Sequence, residues 1–384
     1  MLIIVVLLAL LLVLGVVYVS YRVLSSTDSK NLESAIDVEV EKSMKTGLYP
    51  GIVVGVCKEG RTLVKGYGRI DKESDQCPDA STVFQIGSIS KVLTALLFQR
   101  LCDEGVVSMD ATLGELLGGS ITLSPSVRNV TLRQLATHTS GFPRIPKPIG
   151  EKITEAAGTD DPMLNPYGYL DRQDVFNYLG GAEGKRKAGR FEYSNYGMGL
   201  LAHVLEVVTG EDYECMVREK VLLPLGMHHT AIKLTSDMEL KLAKGYNPNG
   251  LPTPLWTFGA LGRAGAYNST ANDLMTFIQA SLAESGMASE LLLKMSRRQN
   301  KGYTGIGWIR ASFLNRCFGG RRAVWHNGMV GGYASYIAID RNTRTGVVVL
   351  TNQASPTEML GMMLMRQART QSWSPSTFLT HNSG

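Results

Sequence analysis

The chain has 384 residues, 44% of them hydrophobic and 19% charged, a composition that supports a large core and excludes a disordered chain. Its formal net charge of +5 is small for that length, and no Lys/Arg block with interleaved aromatics occurs, which excludes nucleic acid as a partner class. The five cysteines (Cys57, Cys77, Cys102, Cys215, Cys317) are scattered, with neither CxxC nor Cys/His ligand spacing, so neither a disulfide framework nor a zinc site is indicated.

The first 19 residues, MLIIVVLLALLLVLGVVYV, carry no charge. At roughly 1.5 Å per residue such a run just crosses a hydrocarbon core of ~30 Å. It lacks a basic n-region and is longer than the apolar part of a cleaved leader, so it reads as an uncleaved transmembrane anchor at 1–20. The chain is therefore expected to be a single-pass membrane protein. On topology two signals oppose one another: Arg22 and Lys30 follow the span and favour a cytoplasmic domain, whereas the sequons at Asn129 and Asn268 favour the other side. A polar linker at 21–31 follows.

Leu32, Ala35, Ile36, Val40 and Met44 recur at helical spacing, and Gly47 ends that helix. GIVVGVCKEGRTLVKGYG (51–68) reads as two strands around the turn Lys58-Glu59-Gly60. FQIGSISKVLTALLFQ (84–99) opens a buried helix that Gly105 stops. From about 106 to 255 the pattern is mainly helical and loop-rich. Strand patterns return at 303–313, 331–340 and 345–353, and a Met-rich helix at 356–370 precedes a tail at 371–384 that reads as disordered. Strands at both ends and helices between them predict an α+β fold: one antiparallel sheet built from the two chain ends and flanked by helices, with an inserted helical lobe.

Three short stretches carry candidate chemistry. Ser88 and Lys91, at i and i+3, share one helix face at the start of an apolar run. A serine there has an unsatisfied backbone N–H able to hold an oxyanion, and a lysine in apolar surroundings can lose its proton and act as a base. Alone, the pair also fits a capping serine followed by a solvated lysine. Tyr193-Ser194-Asn195 forms a polar turn before an apolar helix, where a phenol can shuttle protons and an amide can orient a lysine or a substrate carbonyl. It reads equally as an ordinary helix entry. In WHNGMVGGYASYIAID (325–340), Asn327-Gly328 reads as a hairpin turn or as part of a strand along a cleft. In the second case His326 is a polar handle and the Met329 N–H a second oxyanion donor.

In that order, the three stretches resemble the serine β-lactamase and DD-peptidase superfamily, most closely its class C branch with the related D-aminopeptidases and esterases. The resemblance extends to the hairpin at 51–68, LATHTSGFP (135–143), GRAGAYNSTANDLMTF (262–277), IGWIR (306–310) and the 326–353 hairpin, and spans about residues 32–370. It implies a serine hydrolase acting on an amide or ester. Ser88 would be the nucleophile, Lys91 and Tyr193 would move its proton, and the N–H groups of Ser88 and Met329 would form the oxyanion hole. Asn195, His326 and Gly328 would bind the substrate, a small molecule or peptide, and no cofactor or metal is implied. Many β-lactamases carry lysine in the third motif, where it meets the drug's carboxylate. His326 stands there instead, and a neutral imidazole is a poorer anion partner.

The alternative is a β-lactamase-fold scaffold without turnover that assembles into filaments or binds partners, and a homo-oligomer is compatible with either reading. The intact set of Ser88, Lys91, Tyr193, Asn195 and His326 favours the hydrolase. No GxSxG elbow, GxGxxG or GxxxxGK[ST] is present, and His228-His229 reads as an exposed loop.

Overall fold

A computed structural model describes residues 31–157, 165, 167–181, 188–299, 304–310 and 323–374. Helix α1 (Leu32–Met44) begins with a reciprocal cap: Asn31 accepts from the Ser34 N–H, and Ser34 Oγ accepts from the Asn31 N–H. Strands β1 (Gly51–Lys58) and β2 (Arg61–Gly68) follow, with Glu59 and Gly60 at positive φ in the turn between them. The short strand β3 (Val83–Gln85) leads through the 3₁₀ turn Gly87–Ile89 into α2 (Ser90–Asp103).

The helical lobe contains α3 (Leu113–Leu117), α4 (Pro125–Arg128), α5 (Leu132–Ala136), α6 (Lys147–Ala157), α7 (Arg172–Gly181), α8 (Asn195–Thr209) and α9 (Tyr213–Val217). After α10 (Ser236–Leu240), β4 (Asn268–Thr270) pairs with β3, and α11 (Ala271–Leu282) and α12 (Met287–Met295) lead to the closing strands. These are β5 (Ile309–Arg310), β6 (Val324–Met329), β7 (Ala334–Asp340) and β8 (Thr345–Thr351), followed by α13 (Glu358–Thr370).

Among the described residues the main sheet has six strands in the order β2-β1-β8-β7-β6-β5, with every neighbour antiparallel. The first hairpin thus docks on the last strand, with Val54 opposite Val349, and the two chain ends close one sheet. Side-chain alternation sorts β1 into two faces. Ile52, Val54 and Val56 meet Leu32, Ile36, Leu360 and Leu364 from α1 and α13, whereas Val53 and Cys57 join the larger core shared with α2, α8 and α11. Because both faces are covered, β1, β7 and β8 read as continuous apolar runs although their pairing is antiparallel. Helix α2 is buried on nearly every side, which fits its apolar stretch from Val92 to Phe98, interrupted only by Thr94. The expected α+β architecture is therefore observed.

Some expectations need correction. The apolar run at 1–20 and the linker up to residue 30 lie outside the described residues. Among the described residues no helix is long and apolar enough to cross a membrane, a finding that stands against the expected single-pass placement and leaves the membrane partner unsupported. At the other end, the residues just after 370 are not loose. Ser372 accepts from the Leu32 N–H, the Ser374 N–H donates to Glu33, and Trp373 packs into the α1–α13 layer. Asn268, the second sequon, is buried in β4, whereas Asn129 is exposed.

Candidate active site

The leading turn of α2 meets the end of β6. Ser88 lies in the 3₁₀ turn, and Lys91, one turn on, sends its Nζ back to 2.8 Å from Ser88 Oγ. The same Nζ donates to the Ala264 carbonyl at 2.7 Å. Lys91 is 1% exposed. Burial, and then the Arg144 charge, hold its pKa well below that of an ordinary lysine.

Burial pushes the Tyr193 phenol up to about 12 despite the opposing influence of Ser88 and Arg144, so it carries its proton at neutral pH. The ring is held from several sides. His138 packs at a centroid distance of 4.5 Å and His326 at 6.1 Å, while Lys91 Nζ and Arg144 Cζ lie 5.2 and 5.6 Å from the ring centre. Ser194 caps α8, accepting from the Gly197 N–H and donating to the Pro143 carbonyl, which ties this turn to the 138–144 loop. The first residue of α8, Asn195, donates to the Tyr167 hydroxyl at 3.3 Å, and its Oδ1 is buried without a partner.

On the sheet side, Asn327 and Gly328 form no turn: they pair with Tyr336 and Ser335 inside β6. Strand β5 pairs with Val324 and Trp325, and among the described residues 326–329 have no partner strand on that side. His326 is buried and its Nδ1 lies 2.7 Å from the Asn327 carbonyl, which makes Nδ1 the protonated nitrogen and leaves Nε2 as an unpartnered acceptor. Burial, and then the nearby Lys91, lower its pKa to about 3, so the imidazole is neutral.

Two glycines allow the close approach of strand and helix. A Cβ on Gly328 would lie 2.0 Å from the Ile86 carbonyl oxygen and 2.9 Å from the Ser88 nitrogen. One on Gly87, whose φ is 53°, would lie 2.9 Å from the Met329 nitrogen. The backbones at Ser88 and Met329 are thereby brought close together. Ser88, Lys91, Asn195 and Met329, the outermost of them 241 positions apart in sequence, thus line one cavity of about 550 Å³, and Tyr193, His326 and Gly328 pack beside them.

Three participants escaped the sequence. Ala264 acts through a backbone carbonyl, which no side-chain pattern marks. His138 accepts from the Ser194 N–H through Nδ1 and adopts a φ of 55°, a role visible only once the loop is folded. Arg144 lies just past the Thr-His-Thr-Ser-Gly stretch, which places the loop without marking its cation. The aromatic stretches at 167–170 and 254–258 do meet: Tyr167 stacks on Phe258 at 5.3 Å, and Trp256 meets both rings edge-on, forming one wall of the cavity. His229 contacts Asp237 and Asp273, yet no cluster among the described residues could hold a metal ion.

The architecture and the serine-lysine-tyrosine constellation define a class, the serine β-lactamase and DD-peptidase superfamily. Within it the chain belongs to the beta-lactamase family, whose family model matches residues 36–371. It is 31% identical over 290 residues to a beta-lactamase-like 1 protein of Homo sapiens, covering 71% of this chain and 54% of that protein. It is 27% identical over 334 residues to protein flp of Staphylococcus aureus strain MW2, covering 83% and 63% respectively, so the chain spans less than two thirds of either curated relative. A class C beta lactamase from Rhodobacter sphaeroides superposes with a TM-score of 0.72 at 23% identity, covering 87% of this chain and 98% of that one, a likeness of fold.

Proposed function

We propose that the chain is a serine hydrolase that cleaves an amide or ester through an acyl-enzyme on Ser88. The observation that carries this reading is the buried Lys91 Nζ, 2.8 Å from Ser88 Oγ and 5.2 Å from the centre of the Tyr193 ring. With its proton lost, Lys91 takes the Ser88 proton as Oγ bonds to the carbonyl carbon. The carbonyl electron pair moves onto oxygen, where the Ser88 and Met329 N–H groups hold it. Collapse breaks the bond to the leaving group, which receives a proton passed on by Lys91 and Tyr193. Water then attacks the acyl ester, and its proton returns through the same pair to Ser88. Asn195 and His326 orient the substrate, and these steps call for no cofactor. The catalytic unit in this reading is residues 32–370, with its helical lobe at about 106–255.

The test is intact mass of the full chain after a fluorophosphonate probe, beside Ser88→Ala. One adduct on the parent protein and none on the variant is the expected outcome. Absence of an adduct on both, with a control hydrolase labelled, removes the catalytic reading and turns attention to the scaffold alternative.

A further inference from the structure

Among the described residues, three that are not glycine hold a positive φ: Glu59, His138 and Arg344. Glu59 and Arg344 lie exposed in the β1–β2 and β7–β8 turns, where such a backbone is ordinary. His138 is different. It is buried beside the site, just past the end of α5, at a φ of 55° that a glycine would adopt without steric cost. A side chain carried in that strained conformation calls for a reason in what it holds.

Its contacts supply one. The His138 carbonyl accepts from the Glu192 N–H at 2.8 Å, and its Nδ1 accepts from the Ser194 N–H at 3.1 Å. These two bonds bracket Tyr193. Between them the imidazole lies against the Tyr193 ring, with 4.5 Å between centres and a tilt of 31°. Phe191 meets the same imidazole edge-on at 6.1 Å. Four successive residues, 191–194, are therefore held by one side chain and its own carbonyl. Because Nδ1 accepts, the imidazole proton is on Nε2. Burial, and then Lys91 and His326, hold the pKa of His138 well below the usual histidine range, so Nδ1 stays an acceptor at neutral pH.

We infer that His138 is the positioning residue of Tyr193: its carbonyl, ring and Nδ1 together fix the phenol relative to Ser88 and Lys91. The inference rests on the acyl-transfer reading for the task of the phenol, whereas the grip on residues 191–194 stands on the geometry.

The test uses the full chain and two substitutions that both suit a positive φ. His138→Gly removes the ring and the acceptor, and His138→Asn returns an acceptor oxygen near the Nδ1 position. With 3-fluorotyrosine incorporated, the fluorine NMR line of Tyr193 is assigned by its absence in Tyr193→Phe. That line is expected to broaden or split in His138→Gly relative to the parent and to recover in His138→Asn. A line as narrow in folded His138→Gly as in the parent, or no recovery in His138→Asn, overturns the inference. Ester hydrolysis reads the consequence through kcat/KM, which reports acylation. His138→Gly should slow phenyl acetate hydrolysis about 10²-fold, the cost of a proton donor displaced by about 1 Å. Hydrolysis of 4-nitrophenyl acetate should fall far less, since 4-nitrophenolate departs without a proton. Equal losses on the two esters mark a general loosening and also overturn the inference. The two readouts separate the claims. A loosened Tyr193 line in a protein that neither hydrolyses the esters nor takes a fluorophosphonate on Ser88 leaves the positioning standing and removes acyl transfer. Labelled protein with an unmoved line does the reverse.

Discussion

Substituting Gly328 by alanine tests the oxyanion geometry without touching any proton-transfer group. The new Cβ would sit 2.0 Å from the Ile86 carbonyl oxygen, 2.5 Å from Ser335 Oγ and 2.9 Å from the Ser88 nitrogen. Restoring an ordinary separation of ~3.4 Å requires β6 and the turn before α2 to part by about 1 Å or more. Resistance comes from the Ser335 hydroxyl, which donates to the Ile86 carbonyl at 2.7 Å, and from the paired register of β6 with β7. Overpacking of this kind costs about 1–3 kcal/mol, or a fall in Tm of roughly 2–6 °C in a domain of this size. The shift also carries the Met329 N–H away from the Ser88 N–H, and loss of one oxyanion donor lowers turnover about 10²–10³-fold. The assay is the second-order rate of fluorophosphonate labelling, read with a calorimetric scan. Gly119→Ala is the control, since a Cβ there meets nothing within 4 Å. A Gly328→Ala protein that labels at the parent rate with an unchanged Tm refutes the oxyanion assignment and the close approach behind it.

Two further outcomes are expected. The folded protein keeps His326 neutral, its pKa lowered to about 3, while the unfolded chain protonates that imidazole below about 6.5. Its contribution is therefore complete above pH ~6.5 and declines as pH falls toward ~3, by up to about 1.4 kcal/mol per pH unit. Urea unfolding at pH 7 and pH 5 should show His326→Gln losing less stability on acidification than the parent; equal losses exclude a buried neutral imidazole. Glu206 bonds Arg263, the residue before Ala264. Burial would raise its carboxyl, but bonds from His203 and Arg263 outweigh that and hold it at about 2. Because Arg263 precedes Ala264, whose carbonyl holds Lys91, Glu206→Gln should cost about 2–3 kcal/mol in urea unfolding and slow the labelling of Ser88. Unchanged values for both refute this support.

What the sequence made legible was local. Ser88 and Lys91 declare themselves because helical spacing alone brings i and i+3 together, and the Tyr193-Ser194-Asn195 turn because a polar triplet interrupts an apolar pattern. The closing sheet was readable from apolar runs at both chain ends. Asn327-Gly328 was ambiguous because the same dipeptide that favours a hairpin also permits a strand to approach another backbone, and only the position of Ile86 decides between them. Arg144 and Ala264 could not be found, since each acts across a gap that folding closes. Lys91 and Ala264 are 173 positions apart, and an arginine in a loop looks the same whether it faces water or a cavity.

The polar groups that folding gathers also weigh between the hydrolase and the silent scaffold. Lys91 is fully enclosed, His138 and His326 each bury a nitrogen without a partner, and so does the Asn195 amide oxygen. Each is unfavourable in a core, where an unmet polar atom costs about 1–3 kcal/mol. A scaffold gains nothing from them, and substitution by apolar side chains of similar volume is often neutral or stabilising. A site that binds and turns over a polar substrate needs them, because its ligand completes the missing bonds. Such atoms occur elsewhere in the core too, at Gln99 and Ser281 for example, so it is the placing of these beside a buried lysine and Ser88 that favours the hydrolase reading over an assembly surface.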